Sequence, residues 1–167
     1  MTEADRKSAE RPYFLQLPEG ESSPLFLDSP HSATTYPADF RYAAGLPLNL
    51  LRQAEDTFVD ELYADAPKQG IALLCAGFPR SYLDANRGIE EIDQALLDAP
   101  WPGPMQETPK TRLGKGLVWR VLDTGEAIYD RKLSVAEVQA RIERYYLPYY
   151  AQLQKLADRA IAEHGSA

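Results

Sequence analysis

An α/β layer architecture is the fold class this chain predicts, and three stretches carry that prediction. Ile71-Ala72-Leu73-Leu74-Cys75-Ala76, preceded by Gly70, is a short continuous apolar run of the kind found in strands buried on both faces. Leu25-Phe26-Leu27 is a second apolar run, giving way to the polar loop Asp28-Ser29-Pro30-His31-Ser32. Near the C-terminus, Val138, Ile142, Tyr145, Tyr149, Leu153, Leu156 and Ala160 recur in steps of three and four, which builds one apolar stripe along a helix.

Taken in order, residues 1–23 read as a mobile tail. Met1 to Arg11 is polar and aperiodic, and Pro12 to Ser23 carries two prolines, so the first strand is expected to begin near Pro24. Residues 24–167 then form a single domain. Pro37 and Pro47 mark loop after the first strand. Phe58, Val59, Leu62, Tyr63 and Ala66, with Pro67 beyond, predict an amphipathic helix before the buried strand. The four prolines between Asp98 and Pro109 remove amide donors and forbid a continuous helix, so this stretch is a long surface loop. Asp123-Thr124-Gly125 has turn chemistry suited to a hairpin between residues 116–121 and 127–129. Ser134-Val135-Ala136-Glu137 is a capping box that starts the long helix, and Pro148 interrupts it.

Composition narrows the functions available. The 167 residues, 44% apolar with a net charge of -7, suit one soluble globular core and argue against a surface that tracks phosphates, so nucleic acid is not an expected partner. The longest apolar run falls far short of the ~20 residues that span a bilayer, and the N-terminus is charged where a signal peptide would be apolar. A cytoplasmic protein without a membrane partner is the expectation. The one cysteine, Cys75, lies inside the apolar run and is expected to pack there rather than react.

Chemistry is concentrated between residues 28 and 87. His31, one of only two histidines, sits where a strand passes into a loop, a common setting for a metal ligand. Asp56, with Glu55 and Glu61 as alternatives, supplies a carboxylate, and Asp56 also suits a helix N-terminus. Arg80, Asn86 and Arg87 suit an anion clamp, since a guanidinium grips a carboxylate as a two-pronged fork. A surface pair bridging Asp84 or Glu90 is the competing reading.

Three blocks carry a resemblance. Ser29-Pro30-His31-Ser32, Asp56 placed seven residues before Tyr63, and Arg80 followed by Asp84-Ala85-Asn86-Arg87 resemble, in the same order, the signature blocks of the N-formylglutamate amidohydrolases. Ala33 stands where that signature has glycine, and the segment Tyr129 to Ser134 with its following helix is similar to one branch of the family.

The resemblance implies a three-layer mixed sheet with flanking helices, similar to the zinc carboxypeptidase (phosphorylase/hydrolase-like) fold and incomplete at the C-terminus. It implies zinc or another divalent metal held by His31 and Asp56, and a substrate carboxylate held by Arg80, Asn86 and Arg87 with Ser32 nearby. The implied reaction releases formate from N-formyl-L-glutamate or a similar small N-acyl acidic amino acid. The family's third metal ligand, a histidine beyond a helix like the last one here, and its later catalytic glutamate have no counterpart in these residues. His164 is no substitute, because a histidine in the last helical turn suits the C-terminal dipole. The expectation is therefore weak metal binding and little turnover by these residues alone. Rival readings are a non-catalytic carboxylate-binding module, or a truncated inactive relative whose exposed sheet edge a homo-oligomer would cover.

Overall fold

The structure, a computed structural model, describes residues 11–165. The proposed tail lies outside the described residues for its first ten positions, but its later part corrects the expectation of a first strand near Pro24. Strand β1, Tyr13–Gln16, comes earlier and pairs with the central strand. Strand β2 is Phe26–Ser29 and β3 is Ala72–Ala76. They form a three-stranded sheet in the order β1-β3-β2, in which β3 runs antiparallel to β1 and parallel to β2. All five residues of β3 are buried, which is why its sequence is continuously apolar rather than alternating. Gly77 is dictated by this pairing, because a Cβ there would meet the Arg11 carbonyl oxygen at 2.1 Å. Its amide instead donates to the Pro12 carbonyl at 3.1 Å.

Between β2 and β3 lie two single-turn helices, α1 (Leu48–Leu51) and α2 (Val59–Leu62). The second corrects the expected amphipathic helix. Phe58 opens it in the left-handed region at φ 66°, and it ends after one turn. Phe58 and Leu62 are 66% and 76% exposed, so the apolar spacing read there does not face the core. Buried Ala66 and Pro67 belong to a separate 3-10 turn that leads into β3.

The proline-rich stretch is irregular up to Thr108, whose hydroxyl caps the single-turn α3 (Pro109–Arg112). The hairpin around Gly125 is reduced to its tip. Leu122 donates to Glu126 and Ile128 donates to Arg120, both at 2.9 Å, and Gly125 takes the left-handed φ of 99° that the turn requires. Its first arm is employed elsewhere, since the Leu117 carbonyl accepts from the Asp84 amide at 2.7 Å.

The capping box at Ser134 and Glu137 forms with both reciprocal bonds and starts α4 (Val135–Arg141). A π-helical segment, Ile142–Tyr146, separates α4 from α5 (Leu147–His164). The interruption expected at Pro148 takes this form: the proline ring would collide with the Arg144 carbonyl one turn back, and a wider turn avoids the collision. The expected stripe is the face that packs, with Val138, Ile142, Tyr145, Tyr149, Leu156 and Ala160 buried and Leu153 partly so. Tyr145 and Tyr149 lie 5.4 and 6.0 Å from the Phe78 ring, which joins the helix to the end of β3. Cys75 is buried within β3. Among the described residues no helix is long and apolar enough to cross a membrane.

Candidate functional site

The loops leaving the C-terminal ends of the two parallel strands carry the site. The β2 loop presents His31, and its backbone carbonyl accepts from the Asp56 amide at 3.0 Å, which brings the segment before α2 alongside. The two side chains then meet: His31 Nδ1 lies 3.2 Å from Asp56 Oδ2. On the other face of the ring, His31 Nε2 lies 2.8 Å from Asp84 Oδ1. The imidazole is buried between two carboxylates, of which Asp56 is half-exposed and Asp84 fully enclosed.

Asp84 belongs to the loop after β3 and is the most heavily bonded group of the site. Its oxygens accept from the Trp119 indole at 3.0 Å and the Asn86 amide at 2.9 Å. Arg80 lies 3.4 Å and Arg87 3.8 Å from it. Burial alone would push this carboxyl up, but the His31 hydrogen bond and charge, Arg80 and the Asn86 amide outweigh burial and hold it below the usual aspartate range. An ionised carboxylate on Nε2 favours keeping a proton on that nitrogen, which leaves Nδ1 as the position where a cation shared with Asp56 would take the place of a proton.

Arg80 stacks on the Trp119 ring at 5.0 Å and reaches Asp56 at 3.4 Å, while Lys115 lies 5.1 Å from the same ring. Arg87 donates to the carbonyls of Lys115 and Asn86 at 3.2 and 2.7 Å. Two carboxylates thus face two guanidiniums, and the cluster is nearly neutral before any ion or substrate arrives.

The long helix holds this loop by its carbonyls. Tyr150 donates to Ala85 at 2.8 Å, Tyr146 to Arg87 at 2.9 Å, and Arg141 to Tyr82 at 3.0 Å. On the β2 side, the Tyr149 hydroxyl donates to Asp28. Burial raises the Asp28 carboxyl despite that bond and the nearby His31.

Residues 23–167 match the sequence profile of the N-formylglutamate amidohydrolases. The chain belongs to that family. A crystal structure of an N-formylglutamate amidohydrolase from Ralstonia eutropha JMP134 is 51% identical, with a TM-score of 0.87 over 92% of this chain and 54% of that one. A gene product of Agrobacterium tumefaciens, 16% identical with a TM-score of 0.66 over 99% of this chain and 55% of its own, shares the fold. The chain spans about half the length of both structures. No curated protein matches the sequence.

Among the residues expected to serve an amidohydrolase-family site, His31 and Asp56 are adjacent, and Arg80, Asn86 and Arg87 share one loop with Asp84. Asn86 is exposed. Both arginine side chains also touch Asp84, as the competing reading anticipated. Ser32 is buried, and its hydroxyl is bonded to Ser29 at 2.7 Å. Of the alternative carboxylates, Glu55 is engaged by Tyr36 and Arg52 at 2.7 and 3.2 Å, and Glu61 is exposed on α2. His164 lies at the far end of α5, 3.2 Å from Ser22.

The donor set fits part of a zinc site. Ligand atoms ~2.05 Å from a tetrahedral zinc stand ~3.3 Å apart, close to the His31–Asp56 separation. A carboxylate behind the ligating imidazole is the usual outer partner of such a histidine. Among the described residues no group of three or more His, Cys, Asp or Glu is placed to hold a metal, so the fit extends to two ligands. The roles of Asp84 as the anchor of His31, and of Trp119 as the anchor of Asp84, were not read from the sequence. A tryptophan beside Lys115 and Arg120 gives one retrospective signal, since a buried indole N–H needs an acceptor.

Proposed function

We propose that this chain carries the metal-binding and carboxylate-binding portion of a hydrolase that converts N-formyl-L-glutamate, or a similar N-acyl acidic amino acid, and water into formate and the free amino acid. The observation that carries this reading is the pairing of His31 Nδ1 with Asp56 at ligand-to-ligand distance, with Nε2 held by a buried, ionised Asp84. His31 and Asp56 would hold a divalent metal such as zinc. Its chemistry at such a site is polarisation of the amide carbonyl and acidification of a water. Asp84 fixes the tautomer and orientation of His31. Arg80, Asn86 and Arg87 orient the substrate through its carboxylates, and Arg80 stays aligned by stacking on Trp119. A bound divalent ion would turn a nearly neutral cluster positive, which suits a substrate with two carboxylates.

The zinc carboxypeptidase likeness of the fold belongs to the same proposal. It is supported by a metal-ligand loop at the C-terminal end of a parallel strand beside a buried central strand. A cytoplasmic setting and a homo-oligomer that covers the open edge of β2 complete the reading.

The test is formate release from N-formyl-L-glutamate by zinc-loaded protein. Arg87→Ala is expected to raise KM about 10- to 100-fold, the loss of one or two charge-assisted hydrogen bonds. His31→Ala is expected to abolish zinc binding and turnover together. Glutamate binding that survives chelation, with no formate released under any loading, would favour the second reading, a carboxylate-binding module; the presence of only two donors among the described residues gives that reading its weight.

A further inference from the structure

A charged cavity lies where Arg141 packs against Tyr82 of the Arg80–Asp84 loop, and the proposed reaction does not use it. It encloses about 320 Å³ and is lined by Asp39, Arg41, Arg131, Glu137, Ala140 and Arg141. Arg141 is 3% exposed, and its hydrogen bonds among the described residues go to a carbonyl and a hydroxyl rather than to a carboxylate. Its guanidinium lies against the rings of Tyr82 at 4.1 Å and of Phe40 and Tyr129 at 5.7 Å each. One nitrogen, Nη1, donates to the Tyr82 carbonyl at 3.0 Å and the Tyr129 hydroxyl at 2.8 Å. The other, Nη2, is buried and has no hydrogen-bond partner among the described residues. A permanently charged group enclosed with an unused donor is costly unless something with negative charge comes to meet it.

The rest of the lining supplies little of that charge. Glu137 is taken by Arg131 through a two-pronged pair at 2.6 and 3.0 Å, and by the helix cap at Ser134. Asp39 accepts from the Tyr82 hydroxyl at 3.1 Å. Arg41 is held at φ 47°, a left-handed conformation that an arginine seldom adopts, and makes no ion pair among the described residues. Strained backbone of this kind recurs where a ligand is clamped. Three arginines therefore face two committed carboxylates, a locally positive surface on a chain of net charge -7.

We infer that this cavity is an accessory binding site for a small oxyanion, a carboxylate or phosphate group, gripped by Arg141 from inside and Arg41 from the rim. The probes are inorganic phosphate and malonate, titrated calorimetrically into protein kept in a chelator, so that no metal at His31 and Asp56 contributes. Saturable one-to-one binding of at least one probe is expected, and the tighter of the two identifies the tetrahedral or the planar oxyanion as the better fit. Arg41→Asn, which suits a left-handed backbone, and Arg141→Lys are each expected to weaken that binding about tenfold or more. Arg87→Ala is expected to leave it unchanged. If Arg141→Lys fails to fold, as circular dichroism would report, Arg41→Asn decides alone. Absence of binding by both probes, equal binding by the Arg41→Asn protein, or loss of binding in the Arg87→Ala protein would overturn the site.

Discussion

Asp84 decides what His31 is able to do. A buried carboxylate with four kinds of donor around it stays ionised, and an ionised Asp84 commits Nε2 to a proton and frees Nδ1 for a cation. Asp84→Asn removes the charge and keeps the shape. It is expected to lower zinc affinity by about 10- to 100-fold, checked by competition against a zinc chromophore. Trp119→Phe keeps the ring under Arg80 but deletes the N–H, leaving one Asp84 oxygen short of a donor. A loss of about 1–3 kcal/mol in chemical denaturation is expected. His31 and Asp56 could be picked out as candidates in the sequence because their blocks are short and local, and the fold brings them side by side. Asp84's role was hidden, because its partners come from residues 31, 80 and 119, a convergence no local spacing records.

At the scale of elements, the long helix both covers the sheet and grips the segments that carry the candidate site. Its tyrosines reach Asp28 in β2 and the carbonyls of Ala85 and Arg87 in the loop after β3. Tyr146→Phe combined with Tyr150→Phe is expected to loosen the arginine loop, raising KM for substrate more than it lowers kcat. The helix start gives a pH test. The Arg131 bond, helped by Ser134, outweighs burial and brings the Glu137 carboxyl down to about 2 from an ordinary 4.5. A depressed carboxylate contributes its stability fully above pH 4.5 and loses it as the pH falls through about 2. The melting-temperature gap between wild type and Glu137→Gln should therefore hold from neutral pH down to that upper value and close below it. The capping box and apolar stripe were readable because helix signals are local. The exposed turn at Val59–Leu62 misled, because its spacing matches a core-facing helix while Phe58 turns the backbone left-handed.

For the whole molecule, three strands and one interrupted helix suffice to bring residues 31, 56, 80, 84 and 87 together. The central strand could be read from its unbroken apolar run, but β1 could not. Its four residues lie in a proline-flanked stretch, and its partner is about sixty residues away in the chain, so pairing and not propensity makes it a strand. The close approach of Arg11 to Gly77 locks that pairing. Gly77→Ala is expected to cost about 1–3 kcal/mol in denaturant unfolding, since the new methyl would meet backbone that cannot step aside.

The proposed convergence of His31 and Asp56 on one cation is open to direct measurement. Anomalous diffraction at the zinc edge from zinc-loaded crystals should place a peak about 2.0–2.2 Å from both His31 Nδ1 and an Asp56 oxygen. Zinc bound elsewhere, or a peak at His31 Nε2 with Asp84 displaced, would contradict it.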